Sequence, residues 1–408
     1  MRNSETCKTS IMEALLKINP ETCIACYACV RACPVKAIRV QSVSVKPEII
    51  EQRCIGCGSC LAVCGPGAIE VRDAKTELKG ILAKHKKVAA LVDPSIAGEF
   101  PDITDYRKFV QMLRTLGFSW IHEVAFGVDL VGRAYKELFK KSRGKYYIMS
   151  NDPVTVSFVE KYKTALVPNL APIVPPVAAT AKVVRKIAGE DVILVHISPL
   201  IASKDEILRL EGESRIDLAI TFVELRELFS ESKIHETDLE YSDFDAPLGY
   251  KGNFFPVANG IVQAAGIEEE LHLSPVITVE GESMIEAIKE FEANIGTIKS
   301  HFNLFYKEFL MGRGTSLGGH RILRRSQLTR YVEKRFKTLD MDAWKKSMSE
   351  FAALDLSRTL KADDQSLPLP TDSQLKKILK DLDQLDSTDV GCGACGYASC
   401  NDFAIAIA

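Results

Sequence analysis

The chain has 408 residues, 46% apolar and 26% charged, with a formal net charge of −2. Those are ordinary proportions for a soluble globular protein with room for two or three domains. So neutral a balance gives no overall attraction to nucleic acid or an anionic membrane, and no apolar run approaches the ~18 residues of a membrane span. Of the twelve cysteines, eight lie between Cys23 and Cys64. Cys392, Cys395 and Cys400 lie near the end, Cys7 stands alone, and none falls between Gly65 and Gly391. The middle of the chain therefore offers no thiolate to a metal.

In chain order, IMEALLKI places apolar residues at helical spacing and predicts a helix within residues 1–20. Cys7 precedes it and reads as a free cysteine without a role, its alternative being a spare redox thiol. The opening stretch lacks the basic-then-apolar order of a secretory leader, so the expected location is the cytoplasm, where thiols stay reduced. Then come CIACYACVRACP and CIGCGSCLAVCG. Each is C-x2-C-x2-C-x3-C, in which three closely spaced thiolates wrap three corners of one cluster and the fourth reaches the other. Zinc ribbons use two pairs with a longer gap rather than triplets plus one. The repeat resembles a two-cluster ferredoxin over about residues 21–75, with AIRVQSV and AIEVRD as strands. It implies one [4Fe–4S] cluster on Cys23, Cys26, Cys29 and Cys64 and a second on Cys54, Cys57, Cys60 and Cys33. Pro34 follows Cys33, whereas Gly65 intervenes between Cys64 and Pro66.

From Lys75 to Ser300 strands and helices alternate. KKVAALVDPSI, SWIHEVAFG, KYYIMSNDP, DVILVHISP and the start of IDLAITFVELRELFS read as strands. TDYRKFVQMLRTLGF, VDLVGRAYKELFKKSRG, VTVSFVEKYKTAL and VAATAKVVRKIAG read as helices. The alternation predicts an α/β domain with parallel sheets, whose chemistry belongs in the turns at the carboxyl ends of the strands.

Those turns carry a second resemblance. MSNDPVTVSFVEKY, followed by the helix entry PNLAPIVPPVAATAK, then SPLIASKDE and FYKEFLMGRG fall in the order of the three signatures of the [FeFe] hydrogenase catalytic domain, over roughly residues 86–335. In that family the signatures bind the H-cluster, a [4Fe–4S] cubane joined to a two-iron unit. Its four cubane cysteines correspond here to Asp152, Leu200, Phe305 (or Tyr306, across a one-residue gap) and Phe309. Leu and Phe have no donor atom, so the resemblance implies the scaffold with its cavity filled and no H-cluster. Lys204 and Glu206 are then structural, pairing with each other or capping a turn. His301 and His320 read as ordinary residues, GRGTSLGG as a flexible turn that could cradle an anion, and HRILRRSQLTRYVEKRFK as a solvated helix face whose alternative is a docking surface for an acidic partner.

Residues 341–385 read as a helical connector, with MDAWKKSMSEFAAL and SQLKKILKDLDQL as helices on either side of a polar, proline-containing stretch; Asp372 or Ser373 is the expected cap of the second. The segment 386–408 carries C-x2-C-x4-C and resembles a small [4Fe–4S] domain. Cys392, Cys395 and Cys400 would hold a third cluster whose fourth ligand lies beyond Ala408, and the chain reads as a fragment. The expected architecture is thus multidomain. An N-terminal helix (1–20) and an α+β two-cluster ferredoxin-like domain (21–75) precede an α/β hydrogenase-like domain with parallel sheets (76–340), the connector and a small helical Fe–S domain. The expected function is electron transfer or redox sensing without hydrogenase activity. The alternatives are an active iron-only hydrogenase and an electron-transfer subunit of a larger redox complex. Expected partners are a ferredoxin, an oxidoreductase subunit or an output domain following Ala408, and neither nucleic acid nor membrane.

Overall fold

The computed structural model describes residues 13–41, 44–142, 144–267, 275–281, 283–307, 309–316, 319–381, 397 and 399–407. Two compact units emerge, one of residues 1–72 with 364–408 and one of Asp73–Asp363.

The first unit is built on a repeat: each position of one half has its counterpart thirty-one residues on, as Cys23 has Cys54 and Cys33 has Cys64. Strand β1 (Leu16–Ile18) pairs antiparallel with β4 (Ile69–Val71), and β2 (Ile38–Gln41) pairs antiparallel with β3 (Ser44–Ile49). Ile18 sits opposite Ile69 as Ile49 sits opposite Ile38. The helix expected over residues 1–20 is corrected at Leu16–Ile18, which is a strand. Leu16 is buried and β1 takes its hydrogen bonds from β4, so pairing across the repeat overrides local helical spacing. The ferredoxin-like fold thus begins before residue 21. Residues 1–12, with Cys7, lie outside the described residues. Further on, the helix Asp372–Asp381 is capped by Thr371, which exchanges hydrogen bonds with Gln374, rather than by Asp372 or Ser373.

In the second unit four parallel strands lie in the order β6 (Trp120–Glu123), β5 (Val88–Val92), β7 (Ile193–Ser198), β8 (Leu218–Thr221). β5 is buried at every residue, as a central parallel strand must be. Its side chains alternate between two cores. Ala89 and Leu91 face the helices Val124–Lys141 and Pro176–Ala188; Val88, Ala90 and Val92 face Tyr106–Leu116 and Phe222–Glu231. Helix Tyr106–Leu116 starts on Asp105, whose carboxylate accepts the Arg107 N–H at 2.9 Å, and ends at Gly117, whose φ of 119° is open to glycine. The other two long helices cross closely at Gly127, where a Cβ would stand 2.3 Å from the Pro176 carbonyl. A second, two-stranded parallel sheet pairs β9 (Val276–Glu280) with β10 (His301–Phe305). KYYIMSNDP joins it only through a bridge at Ile148, not as a full strand.

The unit extends to Asp363 rather than ending at 340. In the stretch expected to be a connector, Trp344 Nε1 donates to Asp129 at 3.0 Å, Phe351 and Leu354 pack on Phe126, Leu130 and Val183, and Ser357 bridges to Ile173. Buried apolar side chains, invisible in a polar average, tie it to the core.

Candidate functional site

The tandem loops take the same shape twice. Ala25, Tyr27 and Lys36 adopt left-handed backbone at φ of 54°, 59° and 51°, and their counterparts Gly56, Gly58 and Gly67 do so at 70°, 68° and 68°. These turns aim backbone N–H groups at sulfur. Ala25 donates to Cys23 at 3.5 Å and Gly56 to Cys54 at 3.4 Å; Ala37 donates to Cys33 at 3.1 Å and Ala68 to Cys64 at 3.2 Å. Cys33, Cys54, Cys57 and Cys60 line one narrow hollow, walled by Leu16, Ile38, Ile49 and Ile55. Burial pushes the Cys60 thiol up, and Cys57, Cys54 and Cys33 add to it; Cys29 is raised likewise, first by burial and also by Cys23 and Cys26. Thiols crowded in an apolar hollow, with N–H donors aimed at their sulfurs, suit a polynuclear iron cluster, which takes each sulfur as thiolate and supplies the compensating charge. A cubane takes each thiolate at a different iron, so its ligands stand apart. Among the described residues no group of three or more His, Cys, Asp or Glu is placed to hold a metal ion. The nine described cysteines are thiols rather than disulfides. Cys400 opens the helix Cys400–Ile407, whereas Cys392 and Cys395 lie outside the described residues.

In the second unit the three signature turns converge. Leu200, Phe305 and Phe309 join one buried core; Phe309 lies 4.6 Å from the Phe255 ring and 5.6 Å from Phe305. Tyr306, the alternative position, is also buried. Asp152 caps the helix Pro153–Tyr162, accepting the Thr155 N–H at 3.0 Å, the Thr155 hydroxyl at 2.7 Å and the Tyr306 N–H at 3.3 Å. Burial raises its pKa, and those hydrogen bonds pull the other way. Asp152→Ala is expected to cost about 0.5–2 kcal/mol of stability through the lost cap, read by urea unfolding; no change would deny it the capping role.

Lys204 and Glu206 do not pair with each other. Lys204 Nζ meets Glu224 at 2.6 Å, and Glu206 meets Arg358 at 3.5 Å. Side chains two residues apart in a helical turn point apart, so each finds a partner from another element. The basic helix Arg321–Thr338 is likewise only partly solvated. Arg324 is buried and donates to the Leu310 carbonyl at 2.7 Å, and Arg335 is buried against Glu123 at 2.8 Å. The glycine-rich run does hold an anion, but the chain's own: Ser316 N–H donates to Glu99 at 3.0 Å, beside Arg226 at 2.9 Å and Arg324 at 3.3 Å. Leu317 and Gly318 of that run lie outside the described residues. His301 is buried, accepts the Tyr147 N–H at 3.0 Å and stacks on Phe139; burial pushes its pKa down to about 4.

Sequence reasoning missed these buried carboxylates because their partners are distant in the chain. Asp129 is pushed up to about 7 by burial, opposed by hydrogen bonds from Tyr250, Trp344 and Gly252. Asp93, after β5, is pushed up to about 6 by burial, opposed by hydrogen bonds from the Ser95 hydroxyl and from the Ser95 N–H at 2.9 Å. A carboxyl raised on folding contributes stability below its unfolded value of about 3.9 and loses it as pH rises to about 6. Asp93→Asn keeps an acceptor for Ser95 and carries no charge. It should gain on wild type in thermal melts between about pH 4 and 6, by up to ~3 kcal/mol, and gain no more above that. Parallel melting profiles across that range would refute it.

A parallel sheet with converging turns at its carboxyl ends, in one chain with a tandem cysteine repeat, defines an iron–sulfur protein on a hydrogenase-type scaffold. Residues 86–305 match the C-terminal domain of the iron only hydrogenase large subunit, and residues 15–65 match the 4Fe-4S dicluster domain. The chain belongs to the iron-only hydrogenase large-subunit family. The NADP-reducing hydrogenase subunit HndD of Solidesulfovibrio fructosivorans is 28% identical over 200 residues, 41% of this chain and 33% of that protein. The chain thus matches a third of that relative's length. A variant of [FeFe]-hydrogenase HydA1 from Chlamydomonas reinhardtii superposes with a TM-score of 0.58 at 17% identity, over 71% of this chain and 99% of that one. HydA(deltaEFG), from a study of stepwise H-cluster assembly, does so with 0.55 at 17%, over 71% and 99%. These likenesses show the fold. No helix among the described residues is long and apolar enough to cross a membrane.

Proposed function

We propose that this chain is an iron–sulfur electron-transfer or redox-sensing protein of the cytoplasm, on a hydrogenase scaffold without its catalytic centre. The observation that carries this reading is the convergence of Asp152, Leu200, Phe305 and Phe309. Three of the four have no donor atom and pack into one core, and the fourth is spent on a helix cap. Clusters bound at the tandem cysteines would supply one-electron chemistry. Cys23, Cys26, Cys29 and Cys64 would hold one and Cys54, Cys57, Cys60 and Cys33 the other, with N–H donors steadying the thiolates and the apolar hollow excluding water. Cys392, Cys395 and Cys400 would supply three of the four ligands of a third site. The partner class is a ferredoxin, an oxidoreductase subunit or a following output domain. The HndD likeness supports a second reading, an electron-transfer subunit of a larger redox complex, since that relative is by name a hydrogenase subunit.

The test is iron and sulfide content, EPR and H2 evolution from a reduced dye, on anaerobic protein co-expressed with hydrogenase maturation factors. About eight irons, coupled [4Fe–4S] signals and no H2 are expected. H2 production with iron well beyond that would overturn the proposal and establish an active hydrogenase.

A further inference from the structure

The two cysteine loops are copies of one turn, so a difference between them must come from what surrounds the sulfurs. Backbone donors do not separate them. Ala25 and Ala68 donate to Cys23 and Cys64 at 3.5 and 3.2 Å, and Gly56 and Ala37 to Cys54 and Cys33 at 3.4 and 3.1 Å. Burial does separate them. At the first site Cys26 is exposed, Cys23 and Cys64 half-buried and Cys29 buried; at the second, none is exposed, Cys33 and Cys60 being buried in the hollow they share with the half-buried Cys54 and Cys57. Charge separates them in the same direction. Lys46 Nζ donates to the Cys23 carbonyl, and Arg31 donates to the Cys26 carbonyl at 3.3 Å. The counterparts of these cations thirty-one residues away are Leu15, which is buried, and Ala62, which is exposed.

We infer that Arg31 and Lys46 set the two iron–sulfur sites to unequal reduction potentials, the site of Cys23, Cys26, Cys29 and Cys64 being the more readily reduced. Taking up an electron adds negative charge. A cation beside the loop and contact with water favour that state, and an apolar hollow disfavours it. Arg53, which precedes Cys54 and donates to the Val35 carbonyl at 3.4 Å, and the Ser59 hydroxyl, 3.6 Å from the Cys57 sulfur, pull the other way, but as one cation and a neutral dipole against two cations. Electrons shared between the sites therefore settle at the one whose Cys26 reaches the surface, where a redox partner can approach.

This inference rests on the two-cluster reading, and the experiment separates the two. The full chain is prepared anaerobically, its iron and sulfide are counted, and it is reduced stepwise by dithionite through mediators with EPR at each potential. Iron well below about eight per chain would overturn the two-cluster reading and this inference with it. With full iron, two one-electron steps are expected. Lys46→Met and Arg31→Gln should each move only the upper step to more negative potential, and Lys46→Arg should restore it. Ala62→Arg, at an exposed position, should raise only the lower step. Coincident steps, equal shifts of both, or a shift of the lower step in the Lys46 variant would overturn the inference while the two-cluster reading stood.

Discussion

Replacing Cys60 by alanine is expected to lower the iron of anaerobically purified protein from about eight to about four per chain, with loss of one of the two reduced-state EPR signals. Cys60 is 7% exposed and shares its hollow with Cys33, Cys54 and Cys57, so the remaining three thiolates leave one corner of a cubane without a ligand. Cys33 comes from the other half of the repeat. An emptied site would therefore also loosen β2, whose Ile38 walls the same hollow. Cys400→Ala is the companion measurement, expected to leave the tandem iron in place. Unchanged iron in the Cys60 variant would mean that the tandem repeat does not bind as its spacing demands.

Phe309→Ala is expected to cost about 3–5 kcal/mol of stability in the second unit, because it opens a hole in a close-packed core. Phe309 is 3% exposed and packs on Phe255 and Phe305, where the hydrogenase resemblance would have a cubane ligand. Both tryptophans, Trp120 and Trp344, belong to this unit, so their fluorescence follows its unfolding apart from the ferredoxin-like unit. A cost below about 1 kcal/mol would mean that the space around Phe309 is not filled, and would reopen the question of a ligand there.

The tandem cysteine loops were legible because cluster ligation writes itself into local spacing: three thiolates two residues apart must share one turn. The parallel sheet was legible for a similar reason, since strands buried on both faces are short continuous apolar runs such as Val88–Val92. The helix Tyr106–Leu116 also declared itself, by its apolar spacing and its closing Gly117. What the sequence could not show by itself were pairings between distant residues. Leu16–Ile18 is a strand only because Ile69–Val71 lies beside it. Lys204 meets Glu224 rather than Glu206, and Arg335 leaves the solvated face of its helix to neutralise Glu123. Residues 341–363 join the core through Trp344, Phe351 and Leu354. In each case burial and charge pairing act across the fold, where desolvation makes a partner obligatory, whereas periodicity reports only neighbours along the chain. Residue identity alone determined that Leu200, Phe305 and Phe309 have no metal donor. Only the tertiary structure decided that they meet in one core, because close packing joins turns that lie more than a hundred residues apart in sequence.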